Sequence, residues 1–91
     1  MSDNWDELEK PLRQLLGQVK ANLSASERRE IEEYINGNEF DAAMEALVDF
    51  LAEKTEPISK PALASARKLA TAMELDGELK RINTVLAKKT G

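Results

Sequence analysis

The sequence predicts an all-α protein, a compact bundle of four to five short amphipathic helices. Apolar residues recur at helical spacing along the chain, and no stretch alternates as a half-buried strand would. Helix-starting and helix-ending residues (Ser24, Gly37, Ser59 and Pro61) punctuate the pattern at short intervals. The 91 residues suffice for one domain, 1–91, with one core.

Residues 1–10, "MSDNWDELEK", read as a short N-terminal turn, separate from the first long helix or kinked against it. Pro11 fits a first helical turn, where its missing N–H costs little, and fits a helix interior badly. The first strong helix then runs from about Pro11 to Asn22, with Leu12, Leu15, Leu16, Val19 and Leu23 in one stripe. "SASE" forms a capping box, with Ser24 as N-cap and Glu27 three residues on. It opens a second helix to about Asn36, with Ile31, Tyr34 and Ile35 inward. Gly37 is placed just past its end in the left-handed conformation, and Asn38 is a candidate cap for the next helix.

The third helix runs from Glu39 to about Lys54 on a stripe of Phe40, Ala43, Met44, Leu47, Phe50 and Leu51. "TEPISKPA" breaks the pattern with two prolines. Ser59 is an N-cap and Pro61 a first-turn residue of a fourth helix, which reaches about Met73. Leu63, Ala66, Leu69, Ala70 and Met73 face inward there, and "LDG" at 75–77 ends it. A last helix, about Glu78 to Lys88, presents Leu79, Ile82, Val85 and Leu86, and residues 89–91 are expected to fray. Connections this short place consecutive helices side by side.

Composition narrows the chemistry mostly by what it omits. No cysteine means no disulfide, no thiolate nucleophile and no thiolate-bound metal. No histidine removes the commonest general base and metal ligand. Ser24, Ser26 and Ser59 stand at or beside helix starts, where capping is their ordinary role. "NGNEFDAAME" lacks the ligand order of a calcium loop, and there is no glycine-rich phosphate loop. The expectation is a protein with no enzymatic activity, no cofactor and no metal. The acidic start has no signal-peptide core, and no apolar run approaches a membrane span, so a cytoplasmic protein away from membranes is expected.

Charge is unevenly distributed. Residues 1–58 hold 14 acids and 6 bases, whereas residues 59–91 hold 3 acids and 7 bases. The segment 30–53 carries eight carboxylates and no Lys or Arg. Such a segment repels phosphate, so no nucleic acid is expected as partner, and the third helix is a poor recognition helix. Asp41, Glu45 and Asp49 follow at i+4 spacing and make one row, which costs an isolated helix about 0.2–0.5 kcal/mol per like-charged pair. Glu30 and Glu33 form a second acidic pair across the Gly37 turn. Charge runs ordinarily serve solvation. The functional reading is a docking surface for a basic partner, built on Glu30, Glu33, Asp41, Glu45 and Asp49. Two aromatics are candidate contacts: Tyr34, whose hydroxyl can reach the surface, and Trp5, which either staples the N-terminal turn or stands as an exposed anchor.

The block "LSASERREIEEYINGNEFDAAMEALVDFL" combines a Ser-capped helix, "EEYI", a Gly-containing turn and an alanine-rich acidic helix. A proline break and the pattern A-x-x-L-A-x-x-M-x-L-D, from Ala66 to Asp76, follow it. In this order, over roughly residues 20–80, the chain resembles the MafI-type bacterial immunity proteins. These are small acidic helical proteins encoded beside polymorphic toxins, including those of contact-dependent growth inhibition. The resemblance implies a cytosolic partner, the C-terminal nuclease domain of a cognate toxin, similar to EndoU-type and other RNases. An RNase must attract RNA, so a basic cleft is implied, and an acidic helical face would block it. The family supplies no contact residues, so the five acids above rest on helix geometry alone. A helical adaptor is the competing reading. "NGNEFDAAMEAL" also resembles the turn of a tetratricopeptide-type helix pair, although only one such unit is present and such arrays need about three.

Overall fold

The computed structural model describes residues 3–89, with side chains from Glu7 to Lys89. Helix α1 spans Asp3–Val19 and runs unbroken through Pro11. Residues 3–10 of the expected separate turn are therefore part of a longer helix, and residues 1–2 lie outside those described. Pro11 has no N–H for the Glu7 carbonyl and crowds it, yet two interactions bridge the defect. Leu8 extends the apolar stripe one turn earlier and packs against the core. Glu9 and Arg13 pair across the proline at 2.9 Å. A 3-10 turn, Lys20–Asn22, closes the helix, and Leu23 behind it is buried.

Helix α2, Ala25–Asn36, opens with the expected box: Ser24 Oγ accepts from the Glu27 N–H at 3.1 Å, and Glu27 Oε1 accepts from the Ser24 N–H at 2.9 Å. It ends at Asn36 as expected, but the left-handed residue lies one place further on than Gly37. Gly37 has φ −88°, and Asn38, at φ 60°, is the left-handed residue. Glu39 N–H donates to the Tyr34 carbonyl at 2.8 Å and Asn38 N–H to that of Ile35 at 3.0 Å. These two bonds satisfy carbonyls the helix leaves open. Asn tolerates this conformation because its short polar side chain bonds locally. Asn38 thus ends α2; it does not cap the next helix, whose N-cap position, Glu39, makes no side-chain cap bond.

Helix α3, Phe40–Glu53, is followed by a loop in which Ile58 is an isolated bridge position; the described residues form no extended strand. Helix α4, Lys60–Ala72, starts with Ser59 Oγ accepting from the Ala62 N–H at 3.2 Å and has Pro61 in its first turn. The same pair of hydrogen bonds ends it: Leu75 N–H to the Ala70 carbonyl at 2.9 Å and Glu74 N–H to that of Thr71 at 3.1 Å. Glu74 takes the left-handed place at φ 57°, and Gly77 lies inside the next helix, α5, Asp76–Arg81. "LDG" therefore begins α5. Left-handed backbone costs a residue bearing a Cβ roughly 1–2 kcal/mol. Glu74→Gly is expected to raise stability by about 1 kcal/mol, read as a higher midpoint in urea with an unchanged slope; a lower midpoint would contradict the role given to Glu74.

Beyond α5 the chain widens into a π turn, Ile82–Leu86, and then tightens into a 3-10 turn, Ala87–Lys89. Lys89 was expected to fray, yet it is held on both sides. Its ammonium donates to the Leu51 carbonyl at 3.0 Å, to that of Ala52 at 2.7 Å and to that of Lys54. Its own carbonyl accepts from the Ile58 N–H at 3.0 Å. A cation here meets the negative end of the α3 dipole and the carbonyls of its last turn and of the residue after it. Residues 90–91 lie outside the described residues.

Helix α2 lies against α3, and α1 packs on α4 and on α3. Helix α5 and the π turn close the remaining side against α3 and α4. The core is one cluster in which Phe40, Leu12, Leu15, Ile31, Ile35, Met44, Leu47, Leu51, Ile82 and Leu86 are fully buried. Val48 and Ile58, outside the expected stripes, are buried too, whereas Phe50 and Met73 reach only its edge. The Cα radius of gyration, 12.0 Å, matches the value of about 12 Å expected for one domain of this length.

Candidate functional site

Packing α2 against α3 brings two acidic rows to one furrow. On α2, Glu30 and Tyr34 stand one turn apart; on α3, Ala42, Glu45, Ala46, Asp49 and Phe50 repeat at helical spacing. Together they line a shallow groove of about 200 Å³. Small-molecule sites usually hold about 300–1,000 Å³, so the groove matches a side chain better than a metabolite. Ala42 and Ala46 leave room between its walls, and Tyr34 and Phe50 are half-buried against the core. Phe50 was expected inside the core. Its place at the α3 stripe's margin leaves it half-buried and lining the furrow.

Four of the expected site residues therefore meet: Glu30, Tyr34, Glu45 and Asp49. Glu33 and Asp41 are exposed but do not line the groove. Asp41 sits in the first turn of α3, where a carboxylate favours the helix dipole. The side chain of Trp5 lies outside those described.

The carboxylates differ in their partners. Asp49 is held by the Arg81 guanidinium of α5, and Arg81 also stands 3.9 Å from Glu78. Among the described residues no Lys or Arg pairs with Glu30 or Glu45. Further along α2, Glu27 accepts from Lys54 at 2.8 Å. That hydrogen bond, with the one from the Ser24 N–H, holds the Glu27 carboxyl below its ordinary range. Glu27 is thus neutralised within the chain and stands apart from the groove.

Glu78 extends the acidic face onto α5, and sequence reasoning missed it. Helix spacing orders residues on one helix, but the approach of α5 to α3 is a tertiary fact. Partial burial raises the Glu78 carboxyl first; the nearby Glu45 and Asp49 charges push the same way, and Arg81 opposes them. A raised folded-state value means that the native state holds the Glu78 proton more tightly than the unfolded chain does. Its cost to stability is absent below the ordinary carboxylate value and grows as pH rises through the folded value. Glu78→Gln is therefore expected to stabilise the fold at pH 7, with the gain vanishing by about pH 4. Urea unfolding at the two pH values measures it, and an equal gain at both would contradict the electrostatic cause.

No group of three or more acidic side chains among the described residues is arranged to hold a metal ion, and none of the described helices is long and apolar enough to cross a membrane. No protein-family model, no curated protein and no solved structure matches the chain.

Proposed function

We propose that this chain is an immunity protein, an antitoxin that binds and neutralises the nuclease domain of a cognate contact-dependent growth inhibition toxin in the cytoplasm. The toxin domain would be a basic RNase of EndoU-like type. The observation that carries the reading is the groove between α2 and α3. Glu30 and Glu45 stand there without a paired cation among the described residues, beside half-buried aromatic rings. A basic RNA-binding surface supplies the missing charges, and complementary fields speed its capture. The resemblance over residues 20–80 is independent support, since it rests on the order of motifs and not on charge placement. The protein acts by occupying surface on the toxin and requires no chemistry of its own.

The test is a titration of the C-terminal nuclease domain encoded next to this chain against a structured RNA. Cleavage is expected to fall linearly to zero at one chain per nuclease. Full cleavage at a several-fold excess would overturn the proposal. Capture of several unrelated proteins in place of one nuclease would favour the helical adaptor.

A further inference from the structure

Beyond α5 the chain changes its winding twice, from the π turn Ile82–Leu86 to the 3-10 turn Ala87–Lys89. Sharp bends in helices fall at π turns, where the regular ladder of hydrogen bonds is interrupted. Past Ile82 the segment has little apolar cover. Leu86 is buried, Val85 and Ala87 are half-buried, and Asn83, Thr84 and Lys88 are exposed. Its far end is held by polar contacts, and they converge on one residue. The Lys89 ammonium donates to the carbonyls of Leu51, Ala52 and Lys54, and the Lys89 carbonyl accepts from the Ile58 N–H. We propose that residues 83–89 form a strap that swings as one unit about the π turn, with the Lys89 ammonium as its lock on the end of α3. The positive charge makes the lock strong, because a cation on carbonyls at the negative end of a helix is held more firmly than a neutral donor. Arg67 of α4 also donates to Asn83 at 2.7 Å, but that bond joins exposed side chains near the hinge. Opening frees the Ile58 N–H, breaks the bond from the Ala87 N–H to the Ile82 carbonyl across the π turn, and bares Leu86. Leu12, Ile31 and Leu47 lie outside the strap and stay packed. Segments with so few buried apolar side chains open well below the free energy of global unfolding. The strap needs no partner and stands apart from the acidic groove.

Native-state hydrogen exchange of the whole chain, read residue by residue by nuclear magnetic resonance, tests the strap. In the wild type the Ile58 and Ala87 amides are expected to share one protection factor, at least about tenfold below those of Leu47 and Val48 in α3. Lys89→Gln keeps a hydrogen-bonding end but removes the charge. It should lower the protection of Ile58 and Ala87 by a further tenfold or so and leave Leu47 and Val48 within about twofold of wild type. Lys88→Gln, at the exposed neighbour, removes the same charge without touching the lock and should change none of these amides by more than about twofold. Ile58 and Ala87 amides as protected as the α3 core in the wild type would overturn the strap. So would a Lys89→Gln variant that leaves Ile58 and Ala87 unchanged, or one that lowers Leu47 and Val48 equally. A Lys89→Gln chain that does not fold would overturn it too, because the contact would then belong to the global fold and not to a separable unit.

Discussion

Phe40→Ala is expected to lower the unfolding free energy by about 3–5 kcal/mol, the usual cost of emptying a buried phenylalanine site. Phe40 is 1% exposed and the largest fully buried side chain among the described residues. It begins α3 directly after the Asn38–Glu39 bend that follows α2, so its buried ring anchors the start of α3 in the core. Single domains hold about 5–15 kcal/mol in total, so the variant sits near the edge of folding. Phe40→Leu, which keeps most of the volume, is the companion measurement. Urea unfolding followed by far-ultraviolet circular dichroism should order wild type above Leu above Ala. A loss below about 1 kcal/mol for the alanine variant would mean that the ring is not a core element.

Pro11→Ala is expected to act in the opposite direction, stabilising the fold by about 2 kcal/mol. An interior proline costs about 3 kcal/mol relative to alanine, and its stiffening of the unfolded chain returns about 0.4–1 kcal/mol. For a domain of this size that is a rise of roughly 10 °C in melting temperature. The sign depends on α1 being one helix, Asp3–Val19. Were the helix to begin at Pro11, the ring would occupy a favourable first-turn position, and alanine would bring no gain. Calorimetry of the two chains separates these cases, and an unchanged or lower midpoint would contradict a helix running through the proline.

Much of the fold was legible in the sequence because it depends on spacing within a helix. Ser24 with Glu27, Ser59 with Pro61, and the stripes of Ile31, Ile35, Leu47 and Leu51 are local patterns, and all stand in the structure as read. The misses came where two locally reasonable choices compete or where distant parts meet. Glycine is the default left-handed residue, but Asn38 and Glu74 took those places, and Gly37 and Gly77 did not. Pro11 reads as a helix start until Leu8 and the Glu9–Arg13 pair offset its defect. The anchoring of Lys89 to α3, the pairing of Asp49 with Arg81 and the approach of Glu78 to Glu45 join residues more than thirty apart, beyond the reach of any helical period. The acidic character of the site was therefore visible in advance, but its composition was not. Asp49 is occupied, Glu33 and Asp41 lie off the groove, and Phe50 lines it as well.

Those corrections decide which charges to reverse. Asp49 stays, because removing its carboxylate would also release Arg81. Glu30→Lys with Glu45→Lys reverses the two unpaired carboxylates of the groove at exposed positions. The association rate of this double variant with the nuclease domain of the proposed toxin partner, measured across a series of salt concentrations, tests the proposed docking surface most directly. With helicity and melting temperature close to wild type, the rate should fall at least about tenfold at low salt, and its dependence on ionic strength should flatten. A folded double variant that associates at the wild-type rate with the wild-type salt slope would contradict the acidic groove as the surface that captures the partner.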